Sequence, residues 1–199
     1  VKGGYEKINS TFTKHLIKKG VDIQYNSQIS QISSNKDGSV DLFVNNNSTV
    51  NHWNVISTLP STISAKITTE LDENEKNKHL NIKYLGVICA SVLLNKKISP
   101  YYVTNITDNN ILFTGIIEMT SLIPTSEIKG NNLIYLPKYV NADDHLLNMD
   151  NKDLSEIFVS ELLQMYPTLN KEDILFCGIS KARNVFSLPV INYSEMRPN

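Results

Sequence analysis

The run Leu85-Gly86-Val87-Ile88-Cys89-Ala90-Ser91-Val92-Leu93-Leu94 constrains the fold more than any other stretch of the chain. As a strand it is apolar on both alternating faces, the pattern of a strand covered from both sides in the middle of a sheet. As a membrane segment it falls well short of the about 20 residues that a bilayer requires. A sheet of at least four strands is therefore predicted around it. Further strands are read at Tyr101–Ile106, Ile111–Glu118, Asn132–Tyr139 and Ile174–Val185, with turn-formers at Ser99-Pro100, Asp108-Asn109-Asn110 and Gly130-Asn131. A helix over Asp150–Tyr166 is predicted to pack on one face. Asp150 stands at its N-cap with Asp153 as an acidic capping partner, and Leu154, Ile157, Phe158, Leu162 and Met165 form an apolar stripe that Pro167 ends.

The first third of the chain reads differently. Residues 5–19 put Tyr5, Ile8, Phe12 and Leu16 on one helical face, and Gly20 supplies a stop. Two β-rich runs, Asp22–Ser33 and Ser39–Asn45, flank Asn35-Lys36-Asp37-Gly38, whose Asp-Gly pair suits a hairpin turn. Trp53–Thr58 is read as the third strand of a small meander that ends at Pro60. The polar stretch from Ser61 to about Lys78, with Glu70–Lys76 as an exposed helix or loop, places a domain boundary between residues 60 and 61. The fold class predicted is α+β: a mixed, largely antiparallel β-sheet with covering helices, plus a small β-meander.

Charge and cysteine usage narrow the function. With 19 basic and 20 acidic residues in 199 and a formal charge of −1, no electrostatic footprint for nucleic acid or an acidic membrane surface is present. Cys89 and Cys177 lie in apolar, strand-like runs, where reduced thiols behave as small hydrophobes, so a reducing, cytoplasmic setting is expected. His15, His52, His79 and His145 are scattered without metal-ligand spacing, and no metal site is expected. Neither a Gly-x-Ser-x-Gly elbow nor a phosphate-binding Walker loop occurs in the sequence.

Several segments in a fixed order carry a resemblance. Gly3-Gly4 precedes the first helix, Val21 to Ile32 forms a β-rich run, and Val55-Ile56-Ser57-Thr58-Leu59-Pro60 ends in Thr-x-Pro. Lys83 to Cys89, Ser99 to Asp108, Phe113 to Glu118 and Leu133 to Tyr139 follow. In that order and spacing the chain resembles flavin-dependent oxidoreductases of the amine oxidase, protoporphyrinogen oxidase and phytoene desaturase group. The resemblance implies that residues 1–60 belong to the periphery of an FAD-binding domain and 61–199 to a substrate-binding domain. No Gly-x-Gly-x-x-Gly fingerprint, the element that seats a dinucleotide pyrophosphate on a helix N-terminus, occurs in the sequence. FAD is therefore expected in the full-length protein and not on this chain alone, with a small-molecule substrate and the rest of the parent polypeptide as partners.

The resemblance also assigns residues. Ile29 matches the position whose main chain passes adenine, Thr58 and Pro60 match the strand end near the cofactor, and Gly3 and Gly4 permit close backbone approach. Read without it, Ile23, Ile29 and Ile32 are core residues of a meander, and Thr58-Leu59-Pro60 is a strand terminus. On the substrate side, Glu118 ends an apolar strand, where its carboxylate orients a substrate hydroxyl or amine or else faces solvent. Tyr101 and Tyr102 alternate across their strand so that one lines a pocket, and Arg183 stands where a phosphate or carboxylate could be held or simply at the surface. The rival reading is a stand-alone small-molecule or protein-binding module without a cofactor.

Overall fold

The run Leu85–Leu94 lies inside a five-stranded sheet, as its two apolar faces require. A computed structural model describes residues 2–198. The strands of this sheet are β4 (Tyr84–Leu94), β5 (Val103–Asn105), β6 (Gly115–Glu118), β7 (Asn132–Asn141) and β8 (Ile174–Ser187), in the spatial order β5-β6-β7-β4-β8. Every ladder in it is antiparallel. On β4 the alternation is strict: Ile88, Ala90, Val92 and Leu94 are fully buried, while Val87, Cys89, Ser91 and Leu93 are half-buried.

The fully buried face is closed by α4 (Asn151–Met165), the helix read from its stripe and cap. Asp150 accepts a hydrogen bond from the Lys152 N–H through its side chain, satisfying one of the donors that a helix start leaves free. Leu154, Phe158 and Leu162 have no exposed surface, whereas Ile157 at the stripe's margin is half-buried. Phe158 meets Phe113 with ring centroids 5.8 Å apart, inside the range of favourable tilted aromatic pairs.

The meander forms with one displacement. β1 (Ile29–Ser34) and β2 (Val40–Val44) pair through the Asp37-Gly38 turn, where the Asp37 side chain accepts from the Ser39 N–H and Gly38 takes φ 88°. The third strand, expected at Trp53–Thr58, is instead β3 (Ser48–His52). The reason lies in the asparagines: Asn45 and Asn46 both adopt positive φ (51° and 57°), and the Asn47 N–H donates to the Val44 carbonyl. Asn45, Asn46 and Asn47 thus form a three-residue hairpin loop that leaves Val44 opposite Ser48, so pairing resumes at Ser48. Trp53–Thr58 continues without regular secondary structure.

Helices α1 (Gly4–Lys18), α2 (Ser61–Ile67) and α3 (Glu73–Leu80) complete this part of the chain, with α5 (Tyr193–Met196) near the end. The stretch read as polar connection is thus largely helical. Pro60 starts α2, its carbonyl accepting from the Ile63 and Ser64 N–H groups. The chain divides into two compact units, Val1–Lys83 with Leu188–Asn199, and Tyr84–Ser187. Within the first unit α2 is tied back to the meander: Ile32 bridges Thr68, and the Ile32 carbonyl accepts from the Thr69 N–H and hydroxyl. The observed class is α+β with antiparallel sheets, as read from the sequence.

Candidate functional site

In the first unit the entrance of β1, the Val55–Leu59 segment and α2 enclose an open cleft of about 460 Å³. Its lining is mostly apolar, from Ile29, Ile32, Leu42 and Val55 among others, and Ser57 and Thr58 also line it. Local chemistry explains the opening. Strand β1 begins at a register shift between Ile29 and Gln31, which frees its first residues from regular pairing. The Val55–Leu59 segment has no regular secondary structure, and Pro60, which cannot continue a ladder, turns the chain into α2 as its N-cap. The Ser57 hydroxyl lies 2.9 Å from that of Ser64 on α2, pinning segment to helix. A largely apolar trough of this size can hold a flat heterocycle by its faces.

Two of the residues singled out from sequence, Ile29 and Thr58, are brought together in this cleft. Pro60 lies just outside it as the N-cap of α2. Gly3 and Gly4 do not line it. They open α1 with φ of 87° and 61°, and the Gly3 carbonyl accepts from the Lys7 N–H. Sequence reasoning passed over Ser27 and Gln28, which complete the wall. They sit in an irregular stretch where no periodicity signals burial.

In the second unit Glu118 is fully buried, and not a strand-end carboxylate facing solvent. Its partner in register is the buried Ile134, so its side chain enters the α4 side of the sheet. The Thr120 hydroxyl donates to one carboxylate oxygen, and the other has no hydrogen-bond partner. Tyr166, at the C-terminal end of α4, has its phenol pushed up, first by burial and then by the neighbouring Glu118 carboxylate. The Ser121 hydroxyl nearby is also buried without a partner. A turn-forming Met119-Thr120-Ser121 gave no sequence signal that its hydroxyls face inward.

The remaining substrate-side residues are spread over the unit's surface. Tyr101 is 69% exposed and Tyr102 42%, and the Tyr102 carbonyl accepts from the Glu118 N–H at 2.7 Å. Arg183 is already engaged: its guanidinium donates to the Ala142 carbonyl at 2.9 Å and to Asn148 Oδ1 at 2.6 Å, holding the loop after β7 against β8. Among the described residues no group of three or more His, Cys, Asp and Glu is placed to hold a metal ion. Nor is any helix among them long and apolar enough to cross a membrane.

Comparisons with known proteins agree with this architecture. A candidate protoporphyrinogen oxidase from Exiguobacterium sp. 255-15 superposes with a TM-score of 0.72 at 13% identity, over 92% of this chain and 41% of its own. Reduced UDP-galactopyranose mutase gives 0.72 at 13%, over 90% and 39%, and an oxidoreductase from Methanosarcina mazei 0.69 at 15%, over 92% and 43%. The chain thus spans about two fifths of the length of these structures, and at such identities they establish the fold alone. No curated protein sequence matches it. The family of flavin-containing amine oxidoreductases matches residues 1–179, nine tenths of the sequence. The chain belongs to the flavin-containing amine oxidoreductase family.

Proposed function

We infer that this chain is part of an FAD-dependent oxidoreductase, joining the periphery of the flavin domain to the domain that shapes the substrate side of the flavin. The observation that carries the reading is the cleft: Ile29 and Thr58, separated by 29 positions, line one apolar trough. Its size and lining fit the flat adenine end of FAD and not the whole cofactor, because no glycine-rich turn in the sequence offers N–H groups to the diphosphate. Ile29 and Leu42 would supply apolar faces, Thr58 a hydroxyl, and Pro60 would fix the segment that presents it. The left-handed Gly3-Gly4 would allow the chain to pass close to the cofactor.

Bound flavin supplies hydride chemistry, and the residues of this chain bind and orient. Tyr101 and Tyr102 are available to a small-molecule substrate. Arg183, through its grip on the 142–148 loop, would position that loop or exchange one of its two contacts for a substrate anion. Glu118 would need its buried free oxygen uncovered to reach a substrate. The rest of the parent polypeptide is the partner that would complete the cofactor site, and the two free, half-buried thiols suit a reducing, cytoplasmic setting. The test is to purify the complete polypeptide that contains this chain and record its flavin absorbance, alone and after Ile29→Arg. A yellow protein whose flavin is lost on the substitution is expected. A protein that neither contains nor takes up FAD would overturn the reading.

A further inference from the structure

We propose that Glu118, Thr120 and Asn132 form a buried site for one alkali-metal cation, sodium or potassium, on the α4 side of the β6–β7 pair. The proposal stands apart from the flavoenzyme reading above and does not depend on it. Strand pairing brings the three residues together. Glu118, the last residue of β6, stands opposite Ile134 on β7, and Asn132, two residues before Ile134, shares that residue's face of the sheet. The carboxylate and the amide are therefore diagonal neighbours on one face. Thr120, in the turn that follows β6, reaches both: its hydroxyl donates to one Glu118 oxygen and lies 3.4 Å from Asn132 Oδ1. Glu118 is 0% exposed and Asn132 7%, so bulk water solvates neither side chain.

This cluster is rich in oxygen and poor in positive charge. Among the described residues no Lys, Arg or His forms an ion pair with Glu118. Tyr166, the ionisable group that senses the carboxylate, brings no cation either. Hydrogen-bond donors are also too few. Thr120 has one hydroxyl proton for two acceptors, and Glu118 Oε2 has no partner at all. A carboxylate held in this way keeps most of its desolvation cost. A water molecule would donate to Oε2 and leave the charge uncancelled. A divalent ion beside a single carboxylate would leave a buried positive charge instead. One monovalent ion balances the carboxylate, and the neutral oxygens of Thr120 and Asn132 are the hard ligands that such an ion takes. At alkali-ion concentrations well below the dissociation constant, Glu118 bears its desolvation cost alone.

Urea denaturation of this chain in sodium chloride and in potassium chloride tests the idea, with ionic strength held constant by tetramethylammonium chloride, whose cation is too large for such a site. Sodium or potassium should raise the midpoint along a saturating curve, with the unfolding equilibrium constant about tenfold lower at the plateau. The ion that saturates at the lower concentration is the preferred occupant. Glu118→Gln keeps the shape of the side chain and removes its charge, and should abolish the response. Thr120→Val leaves the carboxylate and removes one ligand, and should weaken the response about tenfold. Glu127→Gln, on the exposed Thr125–Ile128 turn, should leave it intact. Circular dichroism checks that each variant folds, and either of the first two suffices if the other does not. A midpoint indifferent to both alkali ions would overturn the proposal, and so would a response that survives Glu118→Gln or Thr120→Val unchanged. Tighter saturation by calcium than by either alkali ion would overturn it as well, because the charge balance that selects a monovalent ion would then be wrong.

Discussion

Glu118 is the residue whose environment is hardest to reconcile with stability alone. A carboxylate with no exposed surface, one hydroxyl donor and a second oxygen without a partner loses hydration that a single hydrogen bond does not replace. Replacement by an apolar side chain of similar volume should relieve this. Glu118→Leu is expected to raise the chemical-denaturation midpoint, by an amount equivalent to about 1–3 kcal/mol. A loss of about 1 kcal/mol or more would show that the carboxylate holds the β6 end together. Alkali provides a second test at this scale. Burial raises the thiols of Cys89 and Cys177 above 9.0 and the Tyr166 phenol above 10.0. Each group therefore holds its proton more tightly in the folded chain than in the unfolded one, so its contribution is intact below the unfolded value and is lost as pH rises through the folded one. The thermal midpoint should be level below about pH 9 and fall above it. A Cys89→Ala, Cys177→Ala chain should show a smaller fall between about pH 9 and 10. An unchanged profile in that chain would remove the thiols from the account.

At the scale of elements, legibility followed how much of the signal was local. β4 and α4 were readable because a long run apolar on both faces, and a capped stripe closed by proline, leave few alternatives. Strand β3 was misplaced because its position is set by the left-handed Asn45-Asn46 turn, and asparagine clusters look the same in a loose loop. The amphipathic face of α1 was also readable, yet Tyr5 is 84% exposed and Phe12 61%: periodicity reveals a face and not what covers it. Ile29 and Thr58, singled out from the sequence, line one cleft, whereas Ser27 and Gln28 beside them gave no signal, since a cleft wall made of irregular backbone has no period. The strongest stability prediction concerns α4. Leu162 has no exposed surface and belongs to the cluster formed with Ile88, Val92 and Leu136, so Leu162→Ala should cost about 2–5 kcal/mol by denaturant titration. A midpoint that barely moves would mean that the helix does not seal the sheet.

For the molecule as a whole, the division after Lys83 decides what the chain can do unaided. The first unit offers a cleft of about 460 Å³ that suits one flat ring system, whereas FAD adds a diphosphate, a ribityl chain and a three-ring flavin. A diphosphate in this kind of fold is held by backbone N–H groups and by the positive end of a helix dipole at a glycine-rich turn. No Gly-x-Gly-x-x-Gly run exists in the 199 residues to furnish it. The helix that does begin at glycines, α1, carries Glu6 in its first turn, whose charge opposes an anion. Contacts around Ile29 and Thr58 alone would then have to hold the whole dinucleotide, against the ordering of its long linker. The purified chain is accordingly expected to be colourless, to lack flavin absorbance and to be inert as an oxidoreductase. Adenosine should protect the cleft weakly but measurably, seen as shifts of the Ile29 and Thr58 amide resonances. Calorimetric titration with FAD decides the matter: saturable one-to-one binding at micromolar affinity would sink the idea that the cofactor site needs the rest of the polypeptide, and would place the missing diphosphate contacts somewhere within these residues.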